Sequence, residues 1–92
     1  MDVLVTGSSR GIGRAIAVEL ARGGGRVVVN YLLNDRAAAE TAAMVEAAGG
    51  TAIVVQGDVR SEKDCKRLAA ALDRYDVLVH NAAIGALKPT EK

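Results

Sequence analysis

Four short apolar runs punctuate this chain: Val3-Leu4-Val5, Val27-Val28-Val29, Ile53-Val54-Val55 and Val77-Leu78-Val79. Longer stretches of helical character separate them. Ile12, Ile16 and Leu20 recur every four residues, which predicts a helix face closing near Gly23-Gly24-Gly25. An alanine-rich helix is expected over 35–48, with Gly49-Gly50 as its stop. Ser61 with Asp64 three residues later resembles a capping box with Asp in place of Glu. Cys65, Leu68, Ala69 and Leu72 then mark one face of a third helix. The order is β-α-β-α-β-α-β. Continuous rather than alternating apolar strands imply that both sheet faces are covered. Each crossover holds a helix, so the strands should be parallel and the crossovers right-handed. The expected fold is α/β: a doubly wound parallel sheet of the Rossmann, dinucleotide-binding type. Four strands and three helices would then be the N-terminal part of a larger sheet.

Ninety-two residues make one small domain at most. Phe and Trp are absent, and Tyr31 and Tyr75 are the only aromatics. The apolar content is Ala, Val, Leu and Ile, which suits buried strands and close helix-on-sheet contacts. Twelve basic and eleven acidic residues leave a net charge of +1. With no basic stripe and no stacking platform, the pattern argues against nucleic acid as a partner. Cys65 stands alone, which excludes an internal disulfide and argues against a Cys-based zinc site. No apolar run approaches the ~20 residues of a membrane helix, and Val3-Leu4-Val5 is too short for a signal-peptide core. The expectation is a soluble cytoplasmic protein with no membrane partner.

Thr6-Gly7-Ser8-Ser9-Arg10-Gly11-Ile12-Gly13 lies between the first strand and the first helix. A phosphate needs backbone N–H groups at a helix start, where four donors lack partners and the dipole favours negative charge. Gly7 suits the sharp turn, Gly11 removes a side chain where a ligand would approach, and Gly13 lets the helix sit close on the strand. The spacing is G-x-x-x-G-x-G rather than the general G-x-G-x-x-G. A ligand-free glycine-rich turn is the alternative; the strand before and the helix after favour the phosphate site.

This loop resembles the T-G-x-x-x-G-I-G loop of the short-chain dehydrogenase/reductase family. Gly57-Asp58-Val59, after the third strand, resembles that family's D-V step beside the adenine. His80-Asn81-Ala82-Ala83, after the fourth, resembles its N-N-A-G. The resemblance implies cofactor contacts from Gly7, Ser9, Arg10, Gly11, Ile12 and Gly13, from Asp58 and Val59, and from Asn81, Ala82 and Ala83. His80 stands where the family has Asn, and Ala83 adds a methyl where the nicotinamide-side ribose should pass. The third helix is roughly one turn shorter than the family pattern and lacks its Phe-Gly spacer.

An NAD site usually places Asp or Glu about 20 residues past the glycine loop, on the ribose 2′-OH. Here the second strand ends Asn30-Tyr31-Leu32, and no acid precedes Asp35. Arg10 is a fork of donors suited to phosphate. In the family a basic residue at this position goes with NADP. The expected cofactor is therefore NADP(H) rather than NAD(H), with Arg10 and Asn30 framing the 2′-phosphate and Tyr31 beside them.

Each candidate has a plainer reading. Asp58 could be a cap or turn acid, and Asn81 a structural hydrogen-bonder. His80 has no acid partner nearby in sequence, so a satisfied strand-end histidine is expected rather than a base. Cys65 is expected as a buried, inert thiol. The family's catalytic Tyr-x-x-x-Lys is absent, since Tyr31 is followed by Asp35 and Tyr75 by Val79. Residues 1–92 are thus read as a partial NAD(P)-binding domain truncated before the catalytic segment, holding no catalytic residue and no metal ligand. The resemblance implies the NADP(H)-binding portion of an oxidoreductase acting on a carbonyl or alcohol, whose full-length parent is a homo-oligomer. Gly11 to Leu20 and Arg26 to Tyr31 resemble most the 3-oxoacyl-carrier-protein reductase and glucose dehydrogenase branches. The alternative is a non-catalytic nucleotide-binding or regulatory protein. A methyltransferase is disfavoured by the missing ribose-binding acid after the second strand.

Overall fold

The computed structural model describes residues 1–81. Its elements are β1 (Val3–Val5), α1 (Gly11–Ala21), β2 (Arg26–Tyr31), α2 (Asp35–Ala47), β3 (Thr51–Gln56), α3 (Glu62–Ala69) and β4 (Val77–Val79). The four strands form one sheet in the order β3-β2-β1-β4, with every pairing parallel. Leu4 pairs with Val28 on one side and Leu78 on the other, and Val28 pairs with Ile53, so the runs of β1, β2 and β4 lie in register and that of β3 is offset by one residue. The chain winds outward from β1 through β2 to β3, then crosses back to β4. That reversal makes the carboxyl ends of β1 and β4 the switch point of the sheet, the place where ligands bind in open α/β sheets.

Side-chain alternation in the central strands divides the core. Val3, Val5, Val27 and Val29 face α1 and α2, through Ala17, Ala21, Ala38 and Val45. Leu4 and Val28 face the opposite side and meet Leu68 and Leu72. Both faces are therefore covered at β1 and β2, as their apolar runs predict. The edge strands differ: Leu78 on β4 is 64% exposed and Val54 on β3 is 44% exposed.

Helix α1 turns a different face inward from the one expected. Gly13, Ala17 and Ala21 are buried against the sheet, whereas Ile12 is 68% exposed and Ile16 and Leu20 only flank the core. The small residues bring the helix axis nearer the strands than isoleucine would allow. The larger side chains form an apolar shelf beside Ala15 and Glu19. Cys65 is likewise exposed, contrary to its expected burial. Leu68 is the buried residue of α3, and Leu72 packs beside it beyond the helix end. Cys65 lies three residues before Leu68, about 60° around the helix from it.

Local signals set the helix starts. The Asn34 side chain accepts the Ala37 N–H at 2.9 Å, and the Ser61 hydroxyl accepts the Asp64 N–H at 3.2 Å. The second half of a capping box does not form. Asp64 instead accepts the Asp58 N–H at 2.9 Å, and so fixes the turn before α3.

Candidate functional site

The glycine loop leaves β1 at Thr6 and enters α1 at Gly11. Gly7 and Gly11 have φ of 64° and 65°, the left-handed region that favours glycine. A Cβ on Gly11 would meet nothing within 4 Å, so this backbone faces open space. Gly13 is the opposite case. A Cβ there would collide with the Gly7 carbonyl and lie 2.8 Å from Asn81 Nδ2. The two glycines thus serve ligand approach and helix packing respectively.

Neighbouring strand ends hold the loop from both sides. The Gly7 N–H donates to Asn30 Oδ1 at 2.8 Å, and Asn81 Nδ2 donates to the Gly7 carbonyl at 3.3 Å. The Ser8 N–H donates to the Asn30 carbonyl at 3.0 Å. The Ser8 hydroxyl donates to the Val5 carbonyl at 2.7 Å and accepts the Asn30 N–H at 2.9 Å. Asn30 Nδ2 continues across the sheet to the carbonyls of Val55 and Gly57, at 3.3 and 3.1 Å. Thr6 Oγ1 accepts the Asn81 N–H at 2.8 Å. The ends of β1, β2 and β4 therefore meet around Gly7, although 23 and 74 positions separate it from the two asparagines in sequence.

Asn30 corrects one expectation. Its side chain is 2% exposed and turned inward, with its amide engaged by backbone groups. It braces the loop and does not present a donor to a 2′-phosphate. Ser8, Arg14 and Thr41 were missed by sequence reasoning. Arg14 and Thr41 tie the loop to α2 through the Ser9 carbonyl. Their only sequence signal is polar character at otherwise apolar helix positions.

Arg10 precedes the first helical residue, Gly11. It is exposed at the start of α1, its side chain has no partner among the described residues, and it makes no side-chain cap. The other two helices have such caps. Tyr31 is half-buried at the end of β2, and its carbonyl accepts the Gly57 N–H at 2.9 Å. The first acid beyond is Asp35, at the exposed start of α2.

Asp58 lies in the turn after β3, its side chain 28% exposed. Arg60 donates to it through Nε at 3.0 Å and Nη2 at 2.9 Å. That hydrogen bonding holds the Asp58 carboxyl below the usual carboxylate range. Val59 follows, half-buried, and its N–H has no partner among the described residues. His80 is exposed, and its side chain has no hydrogen-bond partner among the described residues. Tyr75 donates its hydroxyl to the Leu68 carbonyl at 2.8 Å, and burial raises its pKa, so it is a structural phenol. Ala82 and Ala83 lie outside the described residues. Among the described residues no group of three or more His, Cys, Asp or Glu could hold a metal ion, and no helix is long and apolar enough to cross a membrane.

Known proteins resemble this chain in sequence and fold. The family model described as short chain dehydrogenase matches residues 2–92. A 1-cyclohexenylcarbonyl-CoA reductase of Streptomyces collinus is 48% identical over 89 residues, 92% of this chain and 32% of the reductase. The solved structure of the angucycline C-6 ketoreductase LanV with bound NADP is 39% identical with a TM-score of 0.73. The match covers 84% of this chain and 34% of LanV. The NADH-dependent reductase A1-R′, complexed with NAD, is 36% identical with a TM-score of 0.78, covering 87% of this chain and 35% of that protein. The chain thus spans about a third of the length of these relatives.

Proposed function

The chain belongs to the short-chain dehydrogenase family, and from that premise we propose that it is the NADP(H)-binding portion of a short-chain reductase. Phosphates would lie on the N–H groups at the start of α1, above the backbone that Gly11 leaves open. Asp58 and Val59 would border the adenine. Asn81, with Ala82 and Ala83, would border the nicotinamide-side ribose. A bound nicotinamide ring would supply hydride transfer with a carbonyl or alcohol substrate. Residues 1–92 alone would not turn over, because neither tyrosine has the family's lysine partner. We place the working protein in the cytoplasm as a homo-oligomer, in the 3-oxoacyl-carrier-protein reductase or glucose dehydrogenase branch.

The observation that carries the NADP preference is Arg10: an exposed guanidinium without a partner among the described residues, at a helix start where Arg10 makes no side-chain cap. Nothing acidic at the end of β2 opposes a 2′-phosphate there. Since one relative holds NAD and another NADP, cofactor choice rests on these residues and not on kinship.

Titrating Arg10→Ala with both reduced cofactors tests the reading. Loss of a charge-assisted bond, about 1.5–3 kcal/mol, should weaken NADPH roughly 10- to 150-fold and leave NADH nearly unchanged. Equal losses for both would overturn the 2′-phosphate assignment.

A further inference from the structure

The Ser9 carbonyl receives two side-chain donors. Arg14 Nη2 reaches it at 2.7 Å and Thr41 Oγ1 at 2.8 Å. The two donors are themselves linked, because Arg14 Nε donates to Thr41 Oγ1 at 2.8 Å. Arg14 Nη2 also reaches the Ala37 carbonyl at 2.9 Å and Glu40 at 3.2 Å. Thr41 is fully buried on α2. One planar guanidinium therefore spans the glycine loop and the second helix. An ion pair with Glu40 alone would need only a lysine; this set of acceptors needs the fork.

The consequence lies one bond further on. In a trans peptide the C=O and the following N–H point in opposite directions. A Ser9 carbonyl fastened toward Thr41 turns the Arg10 N–H away from α2, and that N–H has no partner among the described residues. The same peptide sets the starting point of the Arg10 side chain. We infer that Arg14 and Thr41 are positioning residues for cofactor selectivity: they set the Ser9–Arg10 peptide and thereby aim Arg10 at the 2′-phosphate. This rests on the reading of Arg10 given above. Selectivity for the phosphate is then controlled from α2, by side chains that do not touch it.

The test compares dissociation constants for NADPH and NADH, read from reduced-nicotinamide fluorescence of the purified protein. Thr41→Val, which keeps the shape and loses the hydroxyl, should lower the NADPH preference about five- to tenfold. Thr41→Ser should keep it within about twofold, which a merely packing role would not require. In an Arg10→Ala background, Thr41→Val should change the preference no further. An unchanged preference in Thr41→Val, or an equal loss in the Arg10→Ala background, overturns the inference and leaves the Arg10 reading standing. An unchanged preference in Arg10→Ala alone overturns both. Should Thr41→Val not fold, Arg14→Lys is judged by the same ratio, because an ammonium cannot span the same acceptors.

Discussion

The Gly7 N–H donates to the Asn30 side-chain carbonyl at 2.8 Å, so the end of β2 holds the first turn of the glycine loop. Removing that amide should loosen the turn. Asn30→Ala would leave the Gly7 N–H and the Gly57 carbonyl without this partner in a buried place, at a cost of about 1–3 kcal/mol. Denaturant unfolding should show that loss. NADPH and NADH should weaken alike, because the whole loop shifts; a loss confined to NADPH would restore Asn30 as a direct phosphate contact.

Gly11 and Gly13 should respond oppositely to alanine. At Gly13 the new methyl meets the Gly7 carbonyl and Asn81, so α1 must move outward, costing about 1–3 kcal/mol of stability. At Gly11 the methyl meets open protein surface, and only the positive φ opposes it, at about 1–2 kcal/mol. Gly11→Ala should therefore remain folded yet lose dinucleotide affinity beyond its stability loss. Calorimetric melting and cofactor titration of both variants would show whether the two losses separate in this way.

Asp58 should matter only for the adenine half of the cofactor. Asp58→Ala is expected to weaken 2′-phospho-AMP by about 1 kcal/mol, one hydrogen bond, and to leave nicotinamide mononucleotide unaffected. Unchanged binding of 2′-phospho-AMP would reduce Asp58 to a turn residue paired with Arg60.

Asp2 ties the starts of three strands together at the opposite end of the sheet. It accepts the Arg26 N–H at 3.1 Å and Arg26 Nη2 at 2.7 Å, and its own N–H donates to Asp76 at 2.7 Å. The Arg26 hydrogen bonds hold its carboxyl far below the usual carboxylate range. The stability this gives is present above the unfolded pKa, about 3.9, and is lost as pH falls toward the lower folded value. Asp2→Asn should be less stable than the parent at pH 7, and the gap should narrow below about pH 4. A gap independent of pH would assign the effect to packing.

The exposed apolar side chain of Leu78 on β4 is expected to favour association. Leu78 is 64% exposed on a strand paired on one side only among the described residues. Light scattering of purified residues 1–92 should show association, and Leu78→Lys should reduce it. Equal scattering from parent and variant would place the contact elsewhere, with the apolar shelf of Ile12, Ile16 and Leu20 the next surface to alter.

Much of this protein is local information. The β-branched runs, the glycine stops and the caps at Asn34 and Ser61 are written within a few residues of where they act, so all seven elements and their parallel order can be read directly. Motif residues such as Gly7, Gly11 and Gly13 are legible for the same reason, because a turn or a helix start depends on neighbours in sequence. Burial is not local. Ile12 and Cys65 follow the helical period yet face outward, because Gly13, Ala17, Ala21 and Leu68 make the closer contacts with the sheet. The direction of a polar side chain is not local either. Asn30 turns inward because backbone groups at Gly7, Val55 and Gly57 surround it once three strands are side by side. Arg14 and Thr41 converge on one carbonyl only after α1 and α2 have packed on the same face. Spacing along the chain determined the elements and the loop; hydrogen bonds between residues far apart in sequence decided which side chains hold that loop and which remain free to meet a ligand.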